Sequence, residues 1–164
     1  MKSLLILGAG GFGHMIKETA QALGYEEIVF LDDMVKEDDV IGMCCDYVIK
    51  HEDYPVAVAA FGNNKTRLFW TDKLLEEGYE VPAIVHPSAV VSPSVTLEPG
   101  CFIMQRSVVN TNTKIERAAL VNSGAVVDHN SVVCAGAHVG LGSVVKANCT
   151  IESGRKVEAG EVIF

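Results

Sequence analysis

The chain has 164 residues, 49% hydrophobic and 21% charged, with a formal net charge of −8; this excludes disorder and suffices for one average domain or two small ones. An acidic balance argues against nucleic acid as a partner, because the phosphate backbone is held by clustered Lys and Arg. No apolar stretch approaches the roughly 20 residues of a membrane span, and Met1–Leu4 runs into a strand-like segment rather than a signal peptide, so the expected compartment is the cytoplasm.

Residues 3–7 (Ser-Leu-Leu-Ile-Leu) read as a buried strand. Gly8-Ala9-Gly10-Gly11-Phe12-Gly13 follows, and then a helix carrying Met15, Ile16, Thr19, Ala20 and Leu23 on one face, closed by Gly24. This is GxGxxG between strand and helix, where glycines allow close backbone approach and the helix N-terminus offers free N–H groups to a phosphate. Gly10, Gly11 and Gly13 are therefore candidate substrate-binding positions, the plainer alternative being a tight βα turn. A second strand, Glu27 to Leu31, ends at Asp32-Asp33, where such folds place a carboxylate for ribose or base. A third, Val56 to Ala60, ends at Phe61-Gly62-Asn63-Asn64; Gly62 and Asn63 are further candidates for the substrate. Asn63 or Asn64 can cap the next helix, which runs to about Glu77 and stops at Gly78. His14 and Arg67 are candidates for nucleotide contact or, equally, for cap and surface roles.

NAD is the default ligand of this motif, but a full Rossmann domain needs two mononucleotide halves and residues 1–84 hold one. A nucleotide diphosphate fits that half-Rossmann βαβ unit better.

From Val85 the pattern changes. Val85, Val91, Leu97, Ile103, Val109, Ile115, Val121, Val127, Val133, Val139, Val145, Ile151, Val157 and Ile163 recur at spacing six without exception. Two residues before the aliphatic stands a small residue, such as Ser107, Thr113, Ser131 or Ser143. Three after it stands Gly or Asn at Gly100, Asn112, Gly124, Asn130, Gly136, Gly142, Asn148, Gly154 and Gly160, the types that best tolerate positive φ. The Asn at 112, 130 and 148 are 18 apart, so three hexads make one coil of a triangular parallel β-solenoid over residues 85–164, with residues 18 apart in one column.

Several side chains fall outside this core logic. Thr111, His129 and Ala147 share a corner column, Asp128 precedes His129 and Asn130 follows it. Lys146, Arg155 and Lys156 are basic residues in an acidic chain, suited to the phosphates of a coenzyme. Val90, Val108, Val126, Val132 and Val144 immediately precede inward positions and are too apolar for a solvated surface, which predicts a homotrimer packed through the coils. Cys44, Cys45, Cys101, Cys134 and Cys149 are odd in number and lack CxxC spacing, so they read as small buried hydrophobes rather than disulfides or zinc ligands.

The hexads resemble those of the hexapeptide-repeat acyltransferases, which implies a left-handed β-helix. Along the whole chain, GAGGFGH (8–14), FLDD (30–33), FGNNKTR (61–67), VHPSA (85–89) and VNSGAVVDH (121–129) resemble the bacterial sugar-nucleotide acetyltransferases, which include UDP-4-amino-sugar N-acetyltransferases and sialic-acid O-acetyltransferases. The resemblance implies an acetyl-CoA-dependent enzyme, without metal, acting on the 4-amino group of a UDP-sugar-type substrate, with active sites between the subunits of a trimer. It implies His129 as general base, His138 on the acetyl-CoA side, the backbone amide of Ala147 facing the acetyl group and Asn122 near the sugar. Relatives often place an acid directly after the catalytic histidine; here Asn130 stands there, and Asp128 is the substitute expected to hold the ring. O-acetylation of a sialic-acid-like sugar, a non-catalytic sugar-nucleotide-binding protein, and a γ-carbonic-anhydrase-like zinc site are the competing readings.

Overall fold

An aliphatic run with no polar alternation needs cover on both faces. In the computed structural model of the protein, which describes residues 2–164, Leu4 to Leu7 are fully buried in strand β1 (Ser3–Leu7). β1 is the centre of a parallel sheet, with β2 (Glu27–Leu31) on one side and β3 (Ala57–Ala59) on the other, in register Ser3↔Glu27 and Leu5↔Ala57. Helix α1 (Gly11–Ala22) buries Ile16, Thr19 and Ala20. Gly13 is required for the close approach of α1, because a Cβ there would lie 2.0 Å from the Gly8 carbonyl oxygen. After β2 come a 3₁₀ turn (Cys44–Asp46) and a one-turn helix α2 (Tyr47–Lys50), for which the sequence carried no periodic signal. Helix α3 (Asn64–Glu77) is capped by Asn63, whose side chain accepts the Thr66 N–H, and ends at Gly78 with φ 94°. The chain leaves β1 towards β2 and returns on the far side as β3, so the C-terminal ends of β1 and β3 flank a topological switch point. This first unit ends at Pro82.

In the second unit, Ala83–Phe164, Ile84 already pairs with Phe102 and Val85 with Ile103. Its two-residue strands run from β4 (Ile84–Val85) to β17 (Val162–Ile163). They form three parallel sheets in which each strand pairs with the one 18 residues on, as in Val121↔Val139, Val127↔Val145 and Val133↔Ile151. The repeating aliphatics from Ile103 to Val157 are fully buried and stack as one core. The small-residue column is buried too, and its hydroxyls donate at the corners: Ser107 to the Met104 carbonyl at 2.7 Å, Thr113 to Asp128 at 3.1 Å, Ser131 to Lys146 at 3.0 Å and Ser143 to Gly140 at 2.7 Å. Positive φ recurs every six residues from Gly100 to Gly160. It includes Arg106 (φ 58°) and Ala118 (φ 56°), two positions where the sequence offers neither Gly nor Asn.

The cysteines meet the expectation of burial only in part. Cys44 and Cys101 are buried, their thiols pushed up to about 12 by loss of solvent, whereas Cys134 and Cys149 are half-buried and Cys45 is exposed. Among the described residues no helix is long and apolar enough to cross a membrane, and no group of three or more His, Cys, Asp or Glu side chains is placed to hold a metal ion.

Candidate active site

At the switch point of the first unit lies an open cleft of about 520 Å³ lined by Gly8, Gly10, Gly11, Asp32, Asp33 and Gly62, among others. Gly10 is the N-cap of α1 and makes no side-chain cap bond, so the first N–H groups of the helix face the cleft without a competing side chain. Asp32 does more than line it. Oδ2 accepts the Ala9 N–H at 2.8 Å, and Oδ1 accepts Met34 and Val35 N–H, each at 2.8 Å. Partial burial opposes the charge, but the three backbone donors outweigh it and hold the carboxyl below its ordinary range. Asp33 Oδ1 accepts the Cys44 N–H at 2.8 Å.

The other rim is set by Arg67. Its side chain is fully buried, and its guanidinium donates to the Phe61 carbonyl at 3.0 Å and to Asn64 Oδ1 at 2.9 Å. Burial lowers its pKa to about 10. Arg67 therefore shapes the 61–64 loop from beneath. Asn63, anticipated as a ligand, spends its side chain on the α3 cap. His14 is likewise engaged elsewhere: Nε2 lies 3.2 Å from Glu37 and the ring packs on Phe30, centroids 5.2 Å apart.

In the second unit His129 lies exposed on the turn between β11 (Val126–Val127) and β12 (Val132–Val133). The next coil is bracketed onto this turn, because Asn148 N–H donates to the His129 carbonyl at 3.1 Å and Ser131 Oγ to that of Lys146 at 3.0 Å. Ala147 thus stands over His129 as the 18-residue column requires, and its N–H has no partner among the described residues. The expectation for Asp128 is corrected. Its carboxylate is hydrogen-bonded to the Asn110 side chain (2.9 Å) and to the backbone N–H of His129 (2.8 Å), which with attraction to the His129 charge hold its pKa below the usual range, and it makes no hydrogen bond to the ring. The group on the ring is Asn130, whose Nδ2 lies 2.9 Å from His129 Nδ1.

His138 is in a different place, on β13 (His138–Val139), paired with Leu120 and Lys156 on either side. Its Nε2 is 3.1 Å from Asn122 Nδ2, and the two line a small pocket of about 180 Å³ with Gly140 and Leu141. The structure therefore pairs Asn122 with His138, which lies on β13 and not on the turn that carries His129. Of the basic residues, Arg155 faces Glu161 at 3.7 Å and Lys156 faces Glu158 at 3.2 Å, while the Lys146 ammonium sits over the Phe164 ring, 4.1 Å from its centroid.

The roles of Arg67 and Asn130 were open in the sequence. A buried arginine and a surface one look alike in FGNNKTR, and Asn130 already had a reason to exist as a left-handed turn residue, φ 58°.

Both halves of the chain have relatives. The PglD N-terminal domain family matches residues 3–74. Across the chain, the acetyltransferase domain of PglB from Neisseria gonorrhoeae FA1090 is 30% identical with a TM-score of 0.77, over 100% of this chain and 92% of that one. The same domain in complex with acetyl coenzyme A matches at 28% identity and TM-score 0.78, over 99% and 92%. PerB from Caulobacter crescentus, in complex with CoA and GDP-perosamine, matches at 29% identity and TM-score 0.85, over 100% and 89%. With its glycine-loop unit, its hexad solenoid and these full-length matches, the chain belongs to the hexapeptide-repeat sugar-nucleotide acetyltransferases.

Proposed function

We propose that the enzyme transfers an acetyl group from acetyl-CoA to the 4-amino group of a nucleotide-activated sugar, with His129 as general base, and that it works as a homotrimer. The observation that carries this reading is the corner at His129, an exposed imidazole beneath the uncommitted N–H of Ala147. Acyl transfer to an amine needs those two groups: a proton acceptor for the attacking nitrogen, and a donor for the carbonyl oxygen as it gains negative charge. His129 takes the amine proton as nitrogen bonds to the thioester carbon. Ala147 N–H receives the oxyanion. When the C–S bond breaks, the imidazolium returns its proton to the leaving thiolate, so the base is restored at each turnover.

The glycine-loop cleft supports the other half of the substrate. The backbone N–H groups at the start of α1 suit a diphosphate, and the Asp33 oxygen not used by Cys44 suits a hydroxyl or base N–H. PerB holds CoA and GDP-perosamine, which supports the same donor and the same class of acceptor here. Lys146, paired with no carboxylate among the described residues, is the basic residue best placed for a coenzyme phosphate. The trimer reading rests on a column of outward valines at 90, 108, 126, 144 and 162.

The test is a thiol-release assay against UDP-, GDP- and CMP-linked 4-amino sugars, the UDP-linked one being the expected substrate. His129→Ala should lower kcat by about 10² or more while sugar-nucleotide affinity in calorimetry is unchanged. Retention of more than about a tenth of parental kcat would place the base elsewhere, with His138 next to be replaced.

A further inference from the structure

Asn130 stands at a position whose left-handed backbone alone accounts for an asparagine, yet its side chain is turned onto the imidazole. Nδ2 of Asn130 is 2.9 Å from His129 Nδ1, and Nδ2 of Asn112, one coil below, is 3.3 Å from Asn130 Oδ1. The two amides and the ring form a continuous chain, Asn112–Asn130–His129. An amide is a donor at one end and an acceptor at the other, so a half-turn of both amides exchanges each Nδ2 with its Oδ1, keeps the separations and reverses the chain. In one sense Nδ1 accepts and the ring proton sits on Nε2, which cannot then accept a proton. In the other, Asn130 Oδ1 accepts from Nδ1–H, and Nε2 presents its lone pair.

We propose that Asn130, backed by Asn112, is the positioning residue for His129: its Oδ1 accepts from Nδ1–H and fixes the tautomer in which Nε2 is the base. This rests on the reading of His129 as the base. The amide takes the place of a carboxylate, with one physical difference. It orients the ring and continues to accept from Nδ1–H once Nε2 has taken a proton, but it adds no negative charge to stabilise the imidazolium. The other groups about the ring do not substitute for it. Asp128 attracts the imidazolium through space, but its oxygens are hydrogen-bonded to Asn110 and to the His129 N–H and do not fix the tautomer; Lys146 in the coil above carries its charge to the Phe164 ring, and the coil below presents the neutral Asn110, Thr111 and Asn112.

Glycine separates the two roles of Asn130, because it accepts φ 58° without strain and has no amide. In Asn130→Gly the fold should persist, the Nδ1–H tautomer of His129 should lose population in nitrogen-15 NMR of the free enzyme, and kcat should fall roughly tenfold or more with KM for the sugar nucleotide within about twofold. Asn130→Asp should recover kcat and move the acidic limb of the pH–rate profile upward, since a carboxylate favours the protonated ring. An Asn130→Gly enzyme with parental kcat, pH profile and tautomer would overturn the proposal and leave Asn130 a turn residue. His129→Ala distinguishes the two levels. If it abolishes turnover while Asn130→Gly changes nothing, only the positioning role fails; if it leaves turnover intact, the assignment of the base fails and the catalytic role of Asn130 with it.

Discussion

The Asp32 carboxylate accepts the Ala9 N–H at 2.8 Å, so the end of β2 is fastened to the middle of the glycine loop on β1. With Met34 and Val35 also donating to it, Asp32 organises the loop from which any phosphate contact must be made. A carboxyl whose folded pKa is depressed binds its proton less readily folded than unfolded. Its stabilising contribution is therefore complete above its ordinary value of 3.8 and is lost as pH falls through the lower folded value. Asp32→Asn should cost about 1–3 kcal/mol at neutral pH, measured by urea unfolding. The variant should also lose less additional stability than the parent when the pH is taken below about 4. Equal acid sensitivity in the two proteins would show that Asp32 is not the group that titrates.

Two glycines of one motif should behave in opposite ways. A Cβ at Gly13 meets the Gly8 carbonyl at 2.0 Å, whereas one at Gly11 meets nothing within 4 Å and enters the cleft. Gly13→Ala should destabilise by roughly 3 kcal/mol or more, at the upper end of overpacking costs. Gly11→Val should change stability by less than about 1 kcal/mol and weaken sugar-nucleotide binding roughly tenfold or more, about 1.4 kcal/mol. Thermal melting and calorimetry on the same two variants separate the effects, and unchanged affinity in Gly11→Val would remove the nucleotide from this loop.

How far each feature could be read in advance follows from how local its cause is. The inward column Val85 to Ile163 is written directly in the chain, because a solenoid buries by local period and every coil repeats the same demand. The same holds for β1 and for the caps at Asn63 and Gly78, where one residue type answers one backbone need. Asp32 was legible as a carboxylate at the end of a strand but not as a backbone acceptor, since both uses call for the same residue in the same place. Between Asp33 and Tyr54 the chain has no period, and its turn and short helix are held by single bonds such as that of Asp46 to the Met43 N–H. The side chain on the His129 ring was not legible for a similar reason: which of its two neighbours, Asp128 or Asn130, hydrogen-bonds the ring is decided by the direction of a turn, not by composition.

Arg106 and Ala118 mark where the repeat overrides residue preference. Both hold φ near +57°, at 58° and 56°, because the coil turns there whatever the side chain. Left-handed backbone costs a non-glycine residue about 1–2 kcal/mol, and Arg106 is exposed, so its replacement sacrifices little packing. Arg106→Asn should be stabilising by about 0.5–1 kcal/mol, seen as a melting temperature several degrees higher. A lower melting temperature would mean that the Arg106 side chain holds the neighbouring turn in a way that outweighs its backbone strain.

The proposed trimer has a defined surface to test. On the sheet of β5 (Val90–Val91), β8 (Val108–Val109), β11, β14 (Val144–Val145) and β17, the outward positions are Val90, Val108, Val126, Val144 and Val162, aligned by register along the whole solenoid. Val132, expected in the same patch, belongs to another sheet, where its neighbours are Lys114 and Thr150. Val90 is 64% exposed and Val162 43%, and an unbroken valine column on a flat sheet has no reason to face water. Val126 is central in it, and its neighbour Val127 carries the inward core, so a charge at 126 leaves the coil itself intact. Val126→Glu should keep the parental far-ultraviolet dichroism yet run as a monomer in light scattering, because three glutamates meeting at an interface are both desolvated and mutually repelled. Acetyl transfer should fall with the trimer if the active site is completed by a neighbouring subunit, while nucleotide binding in the glycine-loop cleft should not. A Val126→Glu protein that remains trimeric at micromolar concentration would move the interface to another face of the solenoid.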